Sequence, residues 1–178
     1  MPNENTVEVA TDVADKAGRY LTFQLGEESY GISVLKVREI IQMQSITRIP
    51  RTQAYMKGVI NLRGKVIPVA DLRIKFEFEK AEVSERTCII VVSLNLPDGR
   101  ETLTGLIVDA VEEVMQIEAA QIEDAPSFTG TSISMDYIFG MAKVKENVKM
   151  LLDIDKVVSA ERVEKIEEQA SELELAEA

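Results

Sequence analysis

GISVLKVREIIQ, residues 31–42, lies on GLIVDAVEEVMQ, residues 105–116, without a gap. The offset of 74 pairs Val34 with Val108, Val37 with Val111, Glu39 with Glu113 and Gln42 with Gln116. Further along, YMKGVINLRGKVIPVADL from Tyr55 matches YIFGMAKVKENVKMLLDI from Tyr137 at an offset of 82, pairing Gly58 with Gly140, Leu62 with Val144 and Asp71 with Asp153. A proline, Pro50 or Pro126, stands between the two blocks in each half, and Tyr20–Leu25 corresponds to Cys88–Leu96 in front of them. Glycine, acidic and apolar positions agree in order, so the chain reads as two diverged copies of one unit. Each unit is short and offers several brief strands, which close most economically as a small barrel without exposed edges. Two barrels side by side leave an apolar seam where a partner helix or strand can dock.

The local patterns agree with a β-rich unit. Alternation over Tyr20–Leu25 predicts a strand, Gly26–Ser29 a turn, and Ser33–Lys36 a single helical turn before an extended Val37–Met43. Gly58–Leu72 reads as a hairpin in which Gly64 can take a positive φ, and Pro68 is expected at an edge or bulge for want of an amide donor. Cys88–Leu96 is a β-branched run ended by Pro97-Asp-Gly, with Thr102–Val108 returning antiparallel. The polar segment Glu77–Glu85 is expected to join the halves as a loop. After Ser159, a helix cap, Val163, Ile166, Ala170 and Leu173 make one face of a helix.

Composition narrows the function classes. The 178 residues contain one cysteine, no histidine and no tryptophan, with a net charge of −11. Without histidine, the Ser-His-Asp triad, the Cys-His dyad and the usual zinc sets are closed to this chain. Neither a GxGxxG nor a GxxxxGK[ST] phosphate loop is present. Cys88 opens an apolar strand and reads as a buried, inert thiol. Glu112 and Glu113 are adjacent, which in a regular strand points them to opposite faces and rules out a joint acid–base role. The catalytic, cofactor and metal expectation is therefore none, a carboxylate-dependent hydrolase being the rival from another class. Eight of the eleven net negative charges lie in residues 1–18 and 161–178, where they aid solubility, and no basic stripe suits nucleic acid. No apolar leader or membrane-spanning run is visible, so the expectation is a cytoplasmic protein with no direct membrane insertion.

Arg63 stands between Leu62 and Gly64 at a hairpin tip, and Glu39 is the acid inside the other repeated block. Lys145 and Glu113 hold the matching places in the second copy. A base and an acid recurring together predict an ion pair in each barrel, against the alternative of unrelated solvated charges. The aliphatic set Val37, Ile40, Ile41, Met43, Val111, Val114 and Met115 divides between core and seam in proportions the pattern leaves open.

YGISVLKVREII, TRIP, KGVINLRGKVIPVADLRIKF, GLIVDAVEEVMQI and LLDIDKVV together resemble the CheW-like domain family of chemotaxis coupling proteins over roughly residues 19–160. That resemblance implies a mainly β fold of two five-stranded SH3-like β-barrels side by side, with a groove between them, short helices and a C-terminal helix. It implies a first barrel over roughly 19–80 and a second over roughly 86–150, with residues 150–158 either staying there or packing back on the first. The ends depart from the family pattern: their own composition and periodicity predict a flexible acidic arm over residues 1–18 and an acidic amphipathic helical tail over 161–178. The implied partners are the regulatory domain of the chemotaxis histidine kinase CheA, the cytoplasmic tips of methyl-accepting chemotaxis proteins, and other CheW-like domains in array rings. Val37, Glu39 and Arg63, with Val114 across the groove, match receptor-binding positions. Gly58 and Gly105 match glycines whose substitution impairs coupling. A stand-alone adaptor for some other helical partner remains the alternative on the same fold.

Overall fold

Alternating runs become strands and the turn residues between them become reversals, in the order the repeat dictates. The computed structural model describes residues 16–50, 52–78, 83–123 and 137–177. Most of residues 1–18, the centre of the 77–85 loop and the segment around Pro126 lie outside these. The first copy contributes β1 (Gly18–Leu25), β2 (Glu28–Ser33), β3 (Val37–Gln42), β4 (Met56–Leu62), β5 (Lys65–Asp71) and the one-turn helix α1 (Leu72–Lys75). The second contributes β6 (Cys88–Asn95), β7 (Glu101–Val108), β8 (Ala110–Ile117), β9 (Ile122–Glu123), β10 (Ile138–Val144), β11 (Asn147–Leu152) and α2 (Ile154–Val157). Helix α3 (Ala160–Glu177) completes the chain order.

The copies exchange hairpins. One sheet runs β3-β6-β7-β5-β4 and the other β8-β1-β2-β11-β10-β9. The β1–β2 hairpin thus joins β8, β9, β10 and β11 of the second copy, and β6–β7 joins β3, β4 and β5 of the first. This corrects the division near residue 80: each barrel takes a hairpin from one half and the remaining strands from the other. The cause is local. The 3-10 turn Val34–Lys36 and the bend at Asp109 carry the chain out of one sheet and into its neighbour instead of folding it back. Accordingly β11 pairs in parallel with β2, Leu151 opposite Gly31, as β5 pairs with β7, Val69 opposite Gly105.

Closure is also duplicated. Beyond β3, Thr47 exchanges backbone hydrogen bonds of 2.9 and 2.8 Å with Val59 of β4, and beyond β8 the short β9 pairs with β10. Each sheet therefore bends until the chain leaving its first strand meets the far edge, one sheet with five strands and the other with six, the sixth being the two-residue β9. Asp71 and Asp153 cap α1 and α2, and their amides donate to the carbonyls of Tyr55 and Tyr137 at 2.7 and 2.8 Å. Pro68 departs from expectation, since β5 lies between β4 and β7. Its carbonyl takes the Thr104 hydroxyl at 3.0 Å, and the β5–β7 pairing begins one residue later, so its missing amide breaks no bond there.

Among the described residues, three clusters fill the interior. Ile60, Ile67, Val69, Ile89, Val91 and Ile107 fill one barrel, and Tyr20, Ile117, Ala142 and Leu151 fill the other. The largest lies between the barrels, from Leu21, Phe23 and Leu25 through Ile90, Val92 and Leu106 to Leu152 and Ile154. Val163, Ile166 and Ala170 of α3 are buried in this shared core. The helix is thus an integral part of the domain, at least over its first three turns.

Candidate functional site

The site grows from a bulge in β3. Val37 lies opposite Val92 and Glu39 opposite Val91, so Arg38 is the extra residue. Such a bulge re-aims the side chains beside it. Val37 is half-buried against the shared core, while Glu39 turns toward the β4–β5 hairpin. There Arg63 has φ 52° and Gly64 φ 86°, the two positive values of a type I′ turn closed between Leu62 and Lys65. Asn61 Oδ1 holds the turn by accepting from the Gly64 amide at 2.8 Å. The turn aims the guanidinium at Glu39: Nη1 donates to Oε2 at 3.3 Å and Nη2 to Oε1. These hydrogen bonds and the Glu39 charge raise the Arg63 pKa further above its ordinary value. Glu39 and Arg63 are therefore brought together. Arg63 remains largely open to solvent.

The second copy repeats the geometry without the pair. Lys145 has φ 57° at the matching turn, and β8 bulges at the matching place, Phe23 facing Val111 and Leu21 facing Val114. Among the described residues Lys145 makes no ion pair with Glu113, correcting the expectation of one pair per barrel. The Glu113 backbone is held by Thr22, whose hydroxyl donates to the Glu113 carbonyl at 3.0 Å and accepts from the Glu113 amide at 3.3 Å. The bulge also breaks the alternation assumed for Glu112 and Glu113, leaving both exposed. Glu112 accepts from the Ser29 hydroxyl and lies 3.7 Å from Lys149.

Val114 belongs to the other barrel and is 47% exposed. Ile40, its counterpart at the offset of 74, is 46% exposed. Strand alternation alone left Ile40 undivided between core and surface; the one sequence signal that singles it out is its match, at the offset of 74, to Val114, which the family resemblance places at the groove. The two glycines act on shape. At Gly58, φ is +142° and a Cβ would stand 2.0 Å from the Thr47 carbonyl oxygen, at the bridge that closes the barrel. At Gly105 the limit is space: a Cβ would come within 2.7 Å of Ile89 Cγ2, inside the barrel.

Sequence reasoning passed over Arg73, although PVADLR contains it. It is 2% exposed, with Nε and Nη2 each 3.0 Å from Asp71 and Nη1 3.3 Å from Asp109. Burial pulls its pKa down, but the hydrogen bonds and charge of Asp71, then of Asp109, outweigh this and raise it. The one cysteine, Cys88, has its thiol pKa pushed up by burial, although a backbone hydrogen bond from Val111 works against the rise. A cleft of about 590 Å³ opens beside the β3–β4 connection, lined by Ile46, Arg48, Ile49, Met56 and Lys57, and shares no residue with the Glu39–Arg63 site. Among the described residues no group of three or more Cys, Asp or Glu is placed to hold a metal, and no helix is long and apolar enough to cross a membrane.

Known proteins share this arrangement. The model of the CheW-like domain matches residues 19–162. "Chemotaxis protein CheW" of Klebsiella aerogenes is 38% identical over 144 residues, covering 81% of this chain and 83% of that protein. "Chemotaxis protein CheW" of Bacillus subtilis is 34% identical, covering 77% and 83%. The crystal structure of the scaffolding protein TtCheW from Thermoanaerobacter tengcongensis superposes with a TM-score of 0.70 at 36% identity, over 80% of this chain and 93% of that one. The paired hairpins, the duplicated bulges and these likenesses lead to one conclusion: the chain belongs to the CheW-like domain family.

Proposed function

We propose that this chain is a chemotaxis adaptor without enzymatic activity. It couples methyl-accepting receptors to the regulatory domain of the histidine kinase CheA, so that receptor state sets kinase autophosphorylation. One observation carries the reading. Ile40 and Val114 occupy matched positions on β3 and β8, and both stand about half exposed, the first beside the Glu39–Arg63 pair. Aliphatic side chains held open on rigid strands next to an oriented charge suit an amphipathic helix, whose apolar face fills the seam while a polar group meets the pair. In this reading Val37, Glu39, Arg63 and Val114 take the receptor helix, and the second barrel meets the kinase. The first barrel makes a further contact in array rings with other CheW-like domains. The protein works in the cytoplasm, recruited to the membrane face through the receptors.

The chemistry of the acids supports binding over catalysis. Asp71 and Asp109 are spent on Arg73, and Asp155 on Lys36. The rival, a carboxylate-dependent hydrolase, needs a pair of carboxylates facing one substrate. Capture experiments with the isolated receptor tip and with the kinase regulatory domain test the proposal. Binding of both by the wild-type chain, with Arg63→Glu losing the receptor and keeping the kinase, is the expected result. Retention of neither partner by the wild-type chain would defeat it.

A further inference from the structure

Two joints connect the barrels, and the repeat relates them with the charges reversed. At the first, the amide of Gly26 in the β1–β2 turn donates to Asp109 Oδ2 at 2.7 Å. Asp109 lies on the β7–β8 crossover, and its Oδ1 is 3.3 Å from Nη1 of Arg73, on α1. At the second joint, the amide of Asn95, at the end of β6, donates to Asp155 Oδ1 at 3.0 Å. Asp155 lies on α2, and its Oδ2 is 2.8 Å from Nζ of Lys36, on the β2–β3 crossover.

Residues 73 and 155 are counterparts at the offset of 82, and Gly26 corresponds to Asn95 in the alignment of β1 with β6. Asp109 corresponds to Leu35, the neighbour of Lys36. Each joint therefore has one hairpin-end amide, one carboxylate and one base, with acid and base exchanging places between the capping helix and the crossover. Lys75 Nζ bridges the two copies, 4.3 Å from the ring centre of Tyr55 and 5.3 Å from that of its counterpart Tyr137.

The strands that leave the two crossovers give the joints their consequence. Lys36 directly precedes Val37, and Asp109 stands two residues before Val111; both valines pack on the shared core where β3 and β8 depart. We propose that Lys36–Asp155 and Arg73–Asp109 are positioning pairs that set β3 and β8 relative to each other, and with them the spacing of the docking surface. The inference rests on the reading of that surface as the receptor site. The joints differ in stiffness. Arg73 is buried and clamped by Asp71, whereas the side chains of Lys36 and Asp155 are 25% and 33% exposed. The second joint is thus the compliant one, and it can be altered without burying a lone charge.

The test uses Lys36→Met, Asp155→Asn, their combination, and Lys36→Arg, all in the full chain. Asn at 155 still accepts from the Asn95 amide, so only the charge contact is removed. Spin labels at Gln42→Cys and Gln116→Cys, matched exposed positions on β3 and β8, report the distance between the strands in a Cys88→Ala background. Each single variant is expected to broaden that distance distribution and weaken receptor-tip binding about three- to fivefold, the range a partly exposed pair supports. The combination weakens binding no further, because either change already breaks the contact, and Lys36→Arg preserves both readouts. An unchanged distribution would overturn the inference, as would multiplying effects in the combination, or Asp155→Asn binding normally while Lys36→Met does not. A wild-type chain that ignores the receptor tip counts against the functional reading alone, since the distances still judge the joints.

Discussion

Replacing Arg73 by methionine isolates a fully buried ion pair. The guanidinium is 2% exposed, and Asp71, which takes two of its hydrogen bonds at 3.0 Å, is fully buried. Methionine fills a similar volume but leaves the Asp71 carboxylate inside the protein with only the Arg73 backbone amide, 2.9 Å away, of its present Arg73 contacts. Breaking a buried pair from one side costs about 3–5 kcal/mol, because a charge is stranded where water cannot reach it. With a urea dependence of about 2 kcal/mol per molar, the unfolding midpoint should fall by about 1.5–2.5 M. Adding Asp71→Asn removes the stranded charge and keeps the α1 cap, so the double variant should regain more than half of the loss. Urea titrations of wild type, both single variants and the double variant provide the measurement. A loss below about 1 kcal/mol for Arg73→Met, or a double variant weaker than the two single losses combined, would refute the argument.

Two further changes probe shape and charge separately. Gly58→Ala meets a backbone oxygen and a positive φ together, so it should cost about 3 kcal/mol or more. Gly105→Ala meets side-chain methyl groups and should cost about 1–2 kcal/mol; thermal or urea unfolding in the opposite order would contradict the geometry. Glu167 on α3 has its carboxyl pKa raised, chiefly by burial, against the Thr102 hydroxyl that donates to it at 3.0 Å. Lys65 also lowers it, whereas Glu164 and Glu168 raise it. A raised folded-state value means that the group adds stability below its unfolded pKa and loses that contribution as pH rises through the folded value. Stability from this group should therefore decline just above the ordinary glutamate value of 4.5. Glu167→Gln should flatten that slope in urea titrations run between pH 4 and 7, and an unchanged slope would show that Glu167 is not its source.

The sequence was most legible where both copies obey one rule. Tyr20–Leu25 was legible from its alternation and Cys88–Leu96 from its β-branched run, and the two became strands β1 and β6; the Leu62–Lys65 turn was readable because Gly64 marks it. Glu39 and Arg63 met as the repeat suggested. What escaped were properties of three-dimensional closure. Ser33–Lys36 could be read as a helical turn, but its effect, sending β3 into the other sheet, depends on the β6–β7 hairpin being there to receive it. The second ion pair did not form although Lys145 repeats the positive φ of Arg63, so matched backbone geometry alone does not bring the two side chains together. Arg73 was hidden by its type, since arginine is seldom buried unless paired, and its partner Asp109 lies 36 positions away. Exposure of Ile40 and Val114 likewise depends on which strand edge the fold leaves uncovered.

Coupling itself is measured most directly by reconstituting the histidine kinase with receptor-containing membranes and tracking its autophosphorylation with and without this chain. The account predicts receptor-controlled phosphorylation only when the chain is present, and loss of that control with Arg63→Glu although the variant still binds the kinase regulatory domain. Receptor control that is the same without the chain, or untouched by Arg63→Glu, would contradict it.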